Sequence, residues 1–278
     1  MIANSPQKTE ETRSPRSRLM GLGMLATLVF AAYGQQNVDW AHYHGSQAQT
    51  HYSTLNQINT SNIGKLKLAW RWDSEQEFPN SEMQSNPLVI GGVMYVVTPK
   101  LNVAALDAAT GRELWRFDPW DGAEVKSKLR NRGLTHWNGQ LYIAVRQLLY
   151  CLDAKTGKRV ASFGKDGRID LREGFDRPAE SLNVSASTPG VVFEGKLILG
   201  SIVPEGLPSA PGDIRAFDLQ TGKQIWSFHT IPHPGEFGYK TWPPEAYKTV
   251  GGANSWAGLT LDEKRGLVFA GTGSAAFD

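Results

Sequence analysis

The sequence has a single cysteine, Cys151, among its 278 residues, so no disulfide framework can form within one chain. Charge is also scarce: 20% of the residues are charged, and 29 Lys and Arg stand against 27 Asp and Glu. A formal net charge of +2 does not favour nucleic-acid binding, so we expect no nucleic-acid partner. What the chain does contain is nine Trp and 29 Gly, which indicates β-structure with many tight turns.

The start of the chain has the composition of a secretory signal peptide. Arg13, Arg16 and Arg18 precede an apolar stretch at 19–32, and small residues follow it. We therefore predict a signal peptide at 1–34, cleaved before Gln35, and a periplasmic mature protein. The alternative is an uncleaved membrane anchor, but the stretch is shorter than the ~20 residues that a spanning helix needs. No later segment is apolar enough to cross a membrane.

One phrase recurs along the chain. It reads ALDAATGRELW at 105–115, AFDLQTGKQIW at 216–226 and, more weakly, CLDAKTGKRV at 151–160. Each copy has an apolar strand, a turn that runs from Asp to Thr-Gly, and a second strand. The Asp side chain of such a turn accepts bonds from backbone amides, and the Gly adopts the positive φ that closes it. We expect the Trp that ends the phrase to pack onto the next unit.

A second apolar hairpin precedes the phrase, for example at 87–97 and 190–200. Two hairpins per unit make a four-stranded antiparallel blade, which is the unit of a β-propeller. The predicted fold class is therefore all-β: an incomplete propeller of about four to five blades, each of roughly 50 residues, with Trp-docking repeats. No linker of distinct composition interrupts 35–278, so we predict one partial propeller domain there. A β-sandwich with chance turn similarity is the alternative, and three aligned turns argue against it.

Other motifs interrupt these repeats: HYHG at 42–45, YS at 52–53, LAW at 68–70 and NRGLTHW at 131–137. Together with the repeats, they resemble the eight-bladed quinoprotein dehydrogenases over about 40–278. Members of that family oxidise alcohols or sugars with pyrroloquinoline quinone (PQQ) and a divalent cation. The resemblance is strongest to the membrane glucose dehydrogenase-like branch.

The resemblance implies a set of cofactor contacts. Arg132 is similar in position to the arginine that pairs with a PQQ carboxylate, and a guanidinium grips a carboxylate with two parallel bonds. Trp256 matches the indole on which the quinone ring lies, since a flat ring system needs a flat apolar partner. Structural alternatives are a surface charge for Arg132, a blade-docking role for Trp256 and packing beside Trp137 for His136. The remaining implied contacts are His136, Ser187, Thr188 and Gln84.

The resemblance also implies a bound cation, Ca²⁺ or Mg²⁺. Hard cations take oxygen ligands, and Glu205 lies where the family places an acidic ligand after a blade strand. In the loop after the next strand, alcohol-oxidising members have Asn in place of Ser274, whereas the sugar-oxidising branch has an Asp that falls near Asp278. This departure favours sugars and leaves open which of the two residues binds the cation. A solvated loop acid is the alternative for Glu205.

In the family, a catalytic Asp lies in an Asp-x-Trp-Asp-like motif of a later blade, so we expect that residue beyond Asp278. The chain is thus predicted to be an N-terminal part, inactive alone, of a PQQ-dependent dehydrogenase. Its predicted substrate is a glucose-like sugar or an alcohol, oxidised by hydride transfer, with a quinone or cytochrome as electron acceptor. The alternative is a non-catalytic periplasmic scaffold of the outer-membrane assembly type. Only the enzyme hypothesis predicts that Arg132, Glu205 and Trp256 converge on one axis of the propeller.

Overall fold

Short antiparallel strands make up most of the regular structure in this computed structural model, which describes residues 38–125 and 127–276. The predicted signal peptide at 1–34 and the candidate ligand Asp278 lie outside those residues. The first sheet, blade 1, contains β1 (Leu88–Ile90), β2 (Val93–Val97), β3 (Val103–Asp107) and β4 (Glu113–Phe117). Blade 2 contains β5 (Thr135–Trp137), β6 (Gln140–Val145), β7 (Leu148–Asp153) and β8 (Arg168–Asp170).

Blade 3 contains β9 (Val191–Phe193), β10 (Lys196–Leu199), β11 (Ile214–Asp218) and β12 (Gln224–Phe228). A two-stranded half-blade follows, with β13 (Leu259–Asp262) and β14 (Leu267–Ala270). Helical structure in the described residues is limited to α1 (Ala246–Thr249) and the 3₁₀ turns Tyr43–Gly45, Ile63–Lys65, Ala179–Ser181 and Tyr239–Thr241. None of these helices has the length and apolarity to span a bilayer.

The strand order confirms the predicted blades. In each four-stranded sheet the strands follow chain order, and each pairs antiparallel with the next. The described residues therefore form an incomplete propeller with three complete blades and half of a fourth. The count is below the predicted four to five blades because long connections, such as 171–190 and 229–258, take up chain between the strands.

Packing between blades uses both faces of each sheet. Successive side chains of a strand point to opposite faces, so a strand between two neighbours must be apolar throughout. Along β6, Leu141 and Ile143 belong to the core shared with blade 1, whereas Tyr142 belongs to the core shared with blade 3. Each such buried aliphatic side chain contributes ~1.5–3 kcal/mol. Cys151 is buried in the same way on β7, as a free thiol.

The three Asp-to-Thr-Gly turns have the predicted geometry. In the first, Asp107 Oδ1 accepts bonds from the Thr110 amide at 2.9 Å and the Thr110 hydroxyl at 2.8 Å. Asp153 and Asp218 make the equivalent pair of bonds to the Thr of their own turns. Each turn is therefore closed by hydrogen bonds among its own residues.

Tryptophan docking is seen at two of the turns, and it confirms the prediction for Trp115, which ends the first copy of the phrase. Trp226, which ends the copy in blade 3, forms no such indole bond within the described residues. The Trp70 indole N–H donates to the Ala108 carbonyl at 3.2 Å, and that of Trp115 donates to the Ala154 carbonyl at 3.1 Å. Each indole lies directly over the glycine of the turn, so a Cβ on Gly157 would be 2.4 Å from the Trp115 ring. The glycine thus serves both the turn and the contact between blades.

The third turn is docked differently. The weak copy of the phrase has Ala161 where the others have Trp, so no indole reaches the turn of blade 3. The Tyr142 hydroxyl donates to the Leu219 carbonyl instead, at 2.7 Å. Trp226, on the far side of blade 3, is 38% exposed. It pairs across the sheet with Ala216, on the face whose inner part is covered by Leu259 and Leu261 of the half-blade.

The segment 40–49 crosses the inner strands. The backbone of Trp40 pairs with Val89 of β1, and the Gln47 side chain makes two bonds to the backbone of Val192 in β9. The Gln47 carbonyl then accepts a bond from the Leu261 amide of β13. This segment therefore joins blade 1, blade 3 and the half-blade.

We expect Gly157→Ala to destabilise the protein by about 2–4 kcal/mol, because the new methyl group combines an unfavourable positive φ with overlap on Trp115. Gly195→Ala is the matched control. Gly157 and Gly195 have φ of +71° and +73°, but no atom lies within 4 Å of a Cβ at Gly195. The control should lose only about 1 kcal/mol. Urea unfolding measures both, and equal losses would contradict docking as the source of the difference.

Candidate functional site

The candidate residues lie at one end of the inner hairpins. In an antiparallel hairpin, the start of the first strand and the end of the second strand meet at the same edge. Ser187 precedes β9 and Glu205 follows β10, just as Trp256 precedes β13 and Ser274 follows β14. Arg132 precedes β5, and β9 contacts both β5 and β13. The strand order therefore brings these loops together.

A cavity of about 490 Å³ is formed where these loops meet. It contains the predicted residues Arg132, Ser187, Glu205, Trp256 and Ser274 in its lining. The other lining residues are Arg130, Ile202, Val203, Gly252, Asn254, Gly273, Ala275 and Ala276. The predicted convergence of Arg132, Glu205 and Trp256 is thus seen in the geometry, and Asp278 lies outside the described residues.

Arg132, at the start of blade 2, connects to the starts of blade 1, blade 3 and the half-blade. Its carbonyl accepts a bond from the Asn86 amide at 2.8 Å, and its own amide donates to the Ser187 carbonyl at 2.6 Å. One terminal nitrogen, Nη1, donates to the hydroxyls of Ser187 and Thr188, both at 3.0 Å, and to the Trp256 carbonyl at 3.3 Å. Because Nη1 carries two hydrogens, one of them is shared between two of these acceptors. The three contacts fix the guanidinium, and Nη2, which has no bond to the described residues, is left for a ligand.

Ser187 and Thr188 are therefore anchors for Arg132. Both side chains are buried. The Thr188 hydroxyl accepts from Arg132 and donates to the Trp256 carbonyl at 2.7 Å, so it holds the loop that carries the indole. Thr188 is not part of the cavity lining. The structure thus places Thr188 behind the guanidinium, whereas Ser187 both anchors Arg132 and contributes to the cavity lining.

Trp256 presents an open indole face. Its side chain is 48% exposed although the surrounding loops are packed, and the Arg132 guanidinium carbon lies 5.4 Å from the ring centroid. A planar ring system on this face would lie beside a fixed cation. No blade-docking contact of the kind made by Trp70 and Trp115 is formed by Trp256 within the described residues.

Glu205 is an exposed carboxylate in the cavity lining, and within the described part of the chain it has no hydrogen bond or ion pair. Ser274 lies on the facing loop, which is held by a bond from the Ala253 amide to the Ser274 carbonyl at 2.6 Å. The two residues offer a carboxylate and a hydroxyl to a hard cation.

Two lining residues were missed by the sequence interpretation. Asn254 donates a hydrogen bond through Nδ2 to the Ser201 carbonyl at 2.7 Å. Its side-chain oxygen therefore remains available as a cation ligand. Arg130 adds a second guanidinium to the wall that carries Arg132. The available signals were the position of Asn254, two residues before Trp256, and the basic run that ends at Arg132.

Besides Thr188, two predicted cofactor contacts lie away from the cavity lining. Gln84 is exposed, and its amide donates to Glu82 Oε1 at 3.2 Å. His136, on β5, lines a separate small cavity together with His42 and Gln47 of the segment 40–49. Because that segment crosses the inner strands, His136 packs against it rather than beside Arg132. The sequence-based placement of His136 near the other contacts is therefore not reproduced.

The lining fits PQQ, and its oxygen atoms fit a hard cation. A fixed guanidinium suits a carboxylate of the cofactor, and the open indole face suits its flat rings. The volume is within the usual range of small-molecule sites. For the cation, the described residues contain no preformed cluster of three His, Cys, Asp or Glu side chains. The lining residues with side-chain oxygen atoms that a cation could use are Glu205, Ser274 and Asn254.

Comparison with known proteins agrees with this geometry. Residues 40–278 match the family described as "PQQ: Glucose/ethanol/alcohol dehydrogenase, beta-propeller domain". The chain belongs to this family. The family predicted from the sequence, that of the PQQ-dependent dehydrogenases, is therefore confirmed.

Relatives in this PQQ family are similar over most of the chain. The dehydrogenase subunit of alcohol dehydrogenase (quinone) from Gluconobacter oxydans is 35% identical over 261 residues, which cover 86% of this chain and 33% of the relative. The quinohemoprotein alcohol dehydrogenase structure from Comamonas testosteroni has a TM-score of 0.68 at 28% identity, covering 86% and 36% of the two chains. A europium-containing methanol dehydrogenase has a TM-score of 0.65 at 25% identity, covering 86% and 43%. The chain spans about a third of the length of the curated relatives it matches.

The separate histidine cavity leads to a pH prediction. Burial lowers the pKa of His136, and the nearby His42, whose own pKa is lowered by burial, lowers it further. The unfolded chain therefore takes up protons at a higher pH than the folded chain, so stability rises with pH and is lost as pH falls below the ordinary histidine value.

Between pH 7 and pH 5, we expect the free energy of unfolding to decrease by at most ~1.4 kcal/mol per pH unit for each coupled histidine. His136→Asn should make this slope shallower, because one of the two coupled histidines is removed. Urea unfolding at several pH values measures the slope. Identical slopes for the wild type and the variant would show that His136 is not coupled to folding.

Proposed function

We propose that the cavity binds PQQ and a divalent cation and contributes to the oxidation of a sugar or an alcohol. The observation that carries the proposal is the arrangement of Arg132, held by three acceptors through one nitrogen, beside the open face of Trp256. Neither side chain belongs to the repeated pattern of Asp-to-Thr-Gly turns and docked Trp residues, and the pair offers what a planar ligand with carboxylates requires. Family membership favours this proposal over a non-catalytic scaffold.

Each residue has a proposed role in binding or orientation. Arg132 pairs with one carboxylate, and Ser187 and Thr188 hold its guanidinium in place. Trp256 supports the ring plane. Glu205 binds the cation, with further oxygens from Ser274, Asn254 or Asp278. Bound PQQ supplies the acceptor for a hydride from the substrate carbon, and the cation polarises the quinone.

The proposed substrate is a glucose-like sugar or an alcohol, and the acceptor of the electrons is a quinone or cytochrome. Support for a sugar comes from Ser274, which stands where the alcohol-oxidising members have Asn. Support for an alcohol comes from the named activities of the Gluconobacter oxydans and Comamonas testosteroni relatives. Ca²⁺ or Mg²⁺ is the proposed cation, and the predicted signal peptide at 1–34 supports a periplasmic location.

A first test concerns the indole. Trp256→Ala should weaken PQQ binding about tenfold or more, because a large flat contact area is lost while the carboxylate contact remains. Equilibrium dialysis with PQQ in the presence of Ca²⁺ measures the affinity. Trp226→Ala is the matched control, since Trp226 is also partly exposed but lies on β12 outside the cavity. Equal affinities for the two variants would contradict the proposed stacking.

A second test concerns the cation. Glu205→Gln removes the charged ligand, so we expect the Ca²⁺ concentration needed for half-maximal PQQ binding to rise by about tenfold or more. The control is Glu194→Gln, which changes an exposed glutamate in the turn between β9 and β10. Titration with Ca²⁺ and, separately, with Mg²⁺ distinguishes the two cations. An unchanged requirement in Glu205→Gln would assign the cation to other ligands.

A further inference from the structure

Arg130 lies on the same wall of the cavity as Arg132 but is held in a different way. Its Nε donates to Glu82 Oε1 at 2.7 Å, and the second oxygen of Glu82 binds the Lys128 ammonium group at 2.6 Å. The Arg130 side chain is 60% exposed. Its terminal nitrogens have no hydrogen bond to the described residues, so they are free to meet a ligand at the cavity.

In the proposed complex, one negative charge is not balanced by Arg132 and the divalent cation, and a second guanidinium can balance it. PQQ has three carboxylates, and Glu205 adds a fourth negative charge in the described lining. A divalent cation neutralises two of the four, and Arg132 neutralises one more. Because Lys128 offsets the charge of Glu82, Arg130 supplies the remaining positive charge. Its attraction to a carboxylate is stronger where a bound ligand displaces water from the cavity.

We propose that Arg130 binds a second carboxylate of PQQ and that Glu82 is the positioning residue that turns its guanidinium towards the cavity. This inference rests on the proposed function. Lys128 shows why the assignment is specific: it carries the same charge and shares the carboxylate of Glu82, but it is not part of the cavity lining. A general effect of positive charge would therefore act through both residues, whereas direct binding acts through Arg130 alone.

The test compares four chains of 278 residues: the wild type, Arg130→Gln, Lys128→Gln and Arg132→Gln. Equilibrium dialysis with Ca²⁺ measures the affinity for PQQ and for its trimethyl ester, which lacks the three negative charges. We expect Arg130→Gln to weaken PQQ binding about five- to tenfold, since an exposed charge-assisted hydrogen bond is partly screened by water. The same variant should change binding of the ester less than about twofold, and Lys128→Gln should change neither by more than that.

Retained binding of PQQ by Arg130→Gln, while Arg132→Gln loses it, would overturn this inference and leave the proposed function standing. Equal losses in Arg130→Gln and Lys128→Gln would also overturn it, because they would indicate a general field effect. No PQQ binding by the wild type would overturn both proposals. Near-UV circular dichroism checks that the variants are folded. Arg130→Lys keeps the charge but not the planar fork, so it should bind PQQ with intermediate affinity.

Discussion

The requirement that both faces of a blade be covered determines most of this structure. A blade whose strands are apolar on both sides is stable only between two neighbours, so Leu141 and Tyr142 of one strand belong to two different cores. The Trp and Tyr side chains that dock on the turns are also part of the packing between neighbouring blades. Where the half-blade covers only the inner part of blade 3, Trp226 and Phe228 remain exposed. Packing neighbour against neighbour also brings the inner strands together, and with them the loops that form the cavity.

Arg132 takes part both in the contacts between blades and in the proposed binding of PQQ. Its backbone joins the start of blade 1 to the start of blade 3, and its side chain reaches the carbonyl that precedes the half-blade. The bonds that hold the strand ends together are therefore also those that fix the guanidinium in the cavity. Under the proposed function, a ligand carboxylate would meet a guanidinium that has already lost its conformational freedom, which would reduce the entropic cost of binding.

Two pairs of histidines lie outside the cavity lining. His136 packs against His42 in a small separate space, and burial keeps both neutral over a wider pH range. On the loop after β12, His229 and His233 stack with ring centroids 3.8 Å apart, and Glu236 bonds to the His229 ring and to the His233 amide. Prolines in that loop exclude a helix, yet a tight turn brings the two rings together.

The sequence by itself determined the local parts: the turns that begin at Asp107, Asp153 and Asp218, the four-stranded unit, and the loops that interrupt the repeat. These follow from neighbouring residues, because a turn and a hairpin are closed by contacts within about ten positions. Motif resemblance also selected Arg132, Trp256, Glu205 and Ser274, all of which line the cavity. Tertiary structure alone decided that His136 faces the segment 40–49, that Gln84 lies outside, and that Arg130 and Asn254 lie inside. Those placements depend on hydrogen bonds between residues more than 40 positions apart, such as Asn86 with Arg132 and Asn254 with Ser201, which no local pattern encodes.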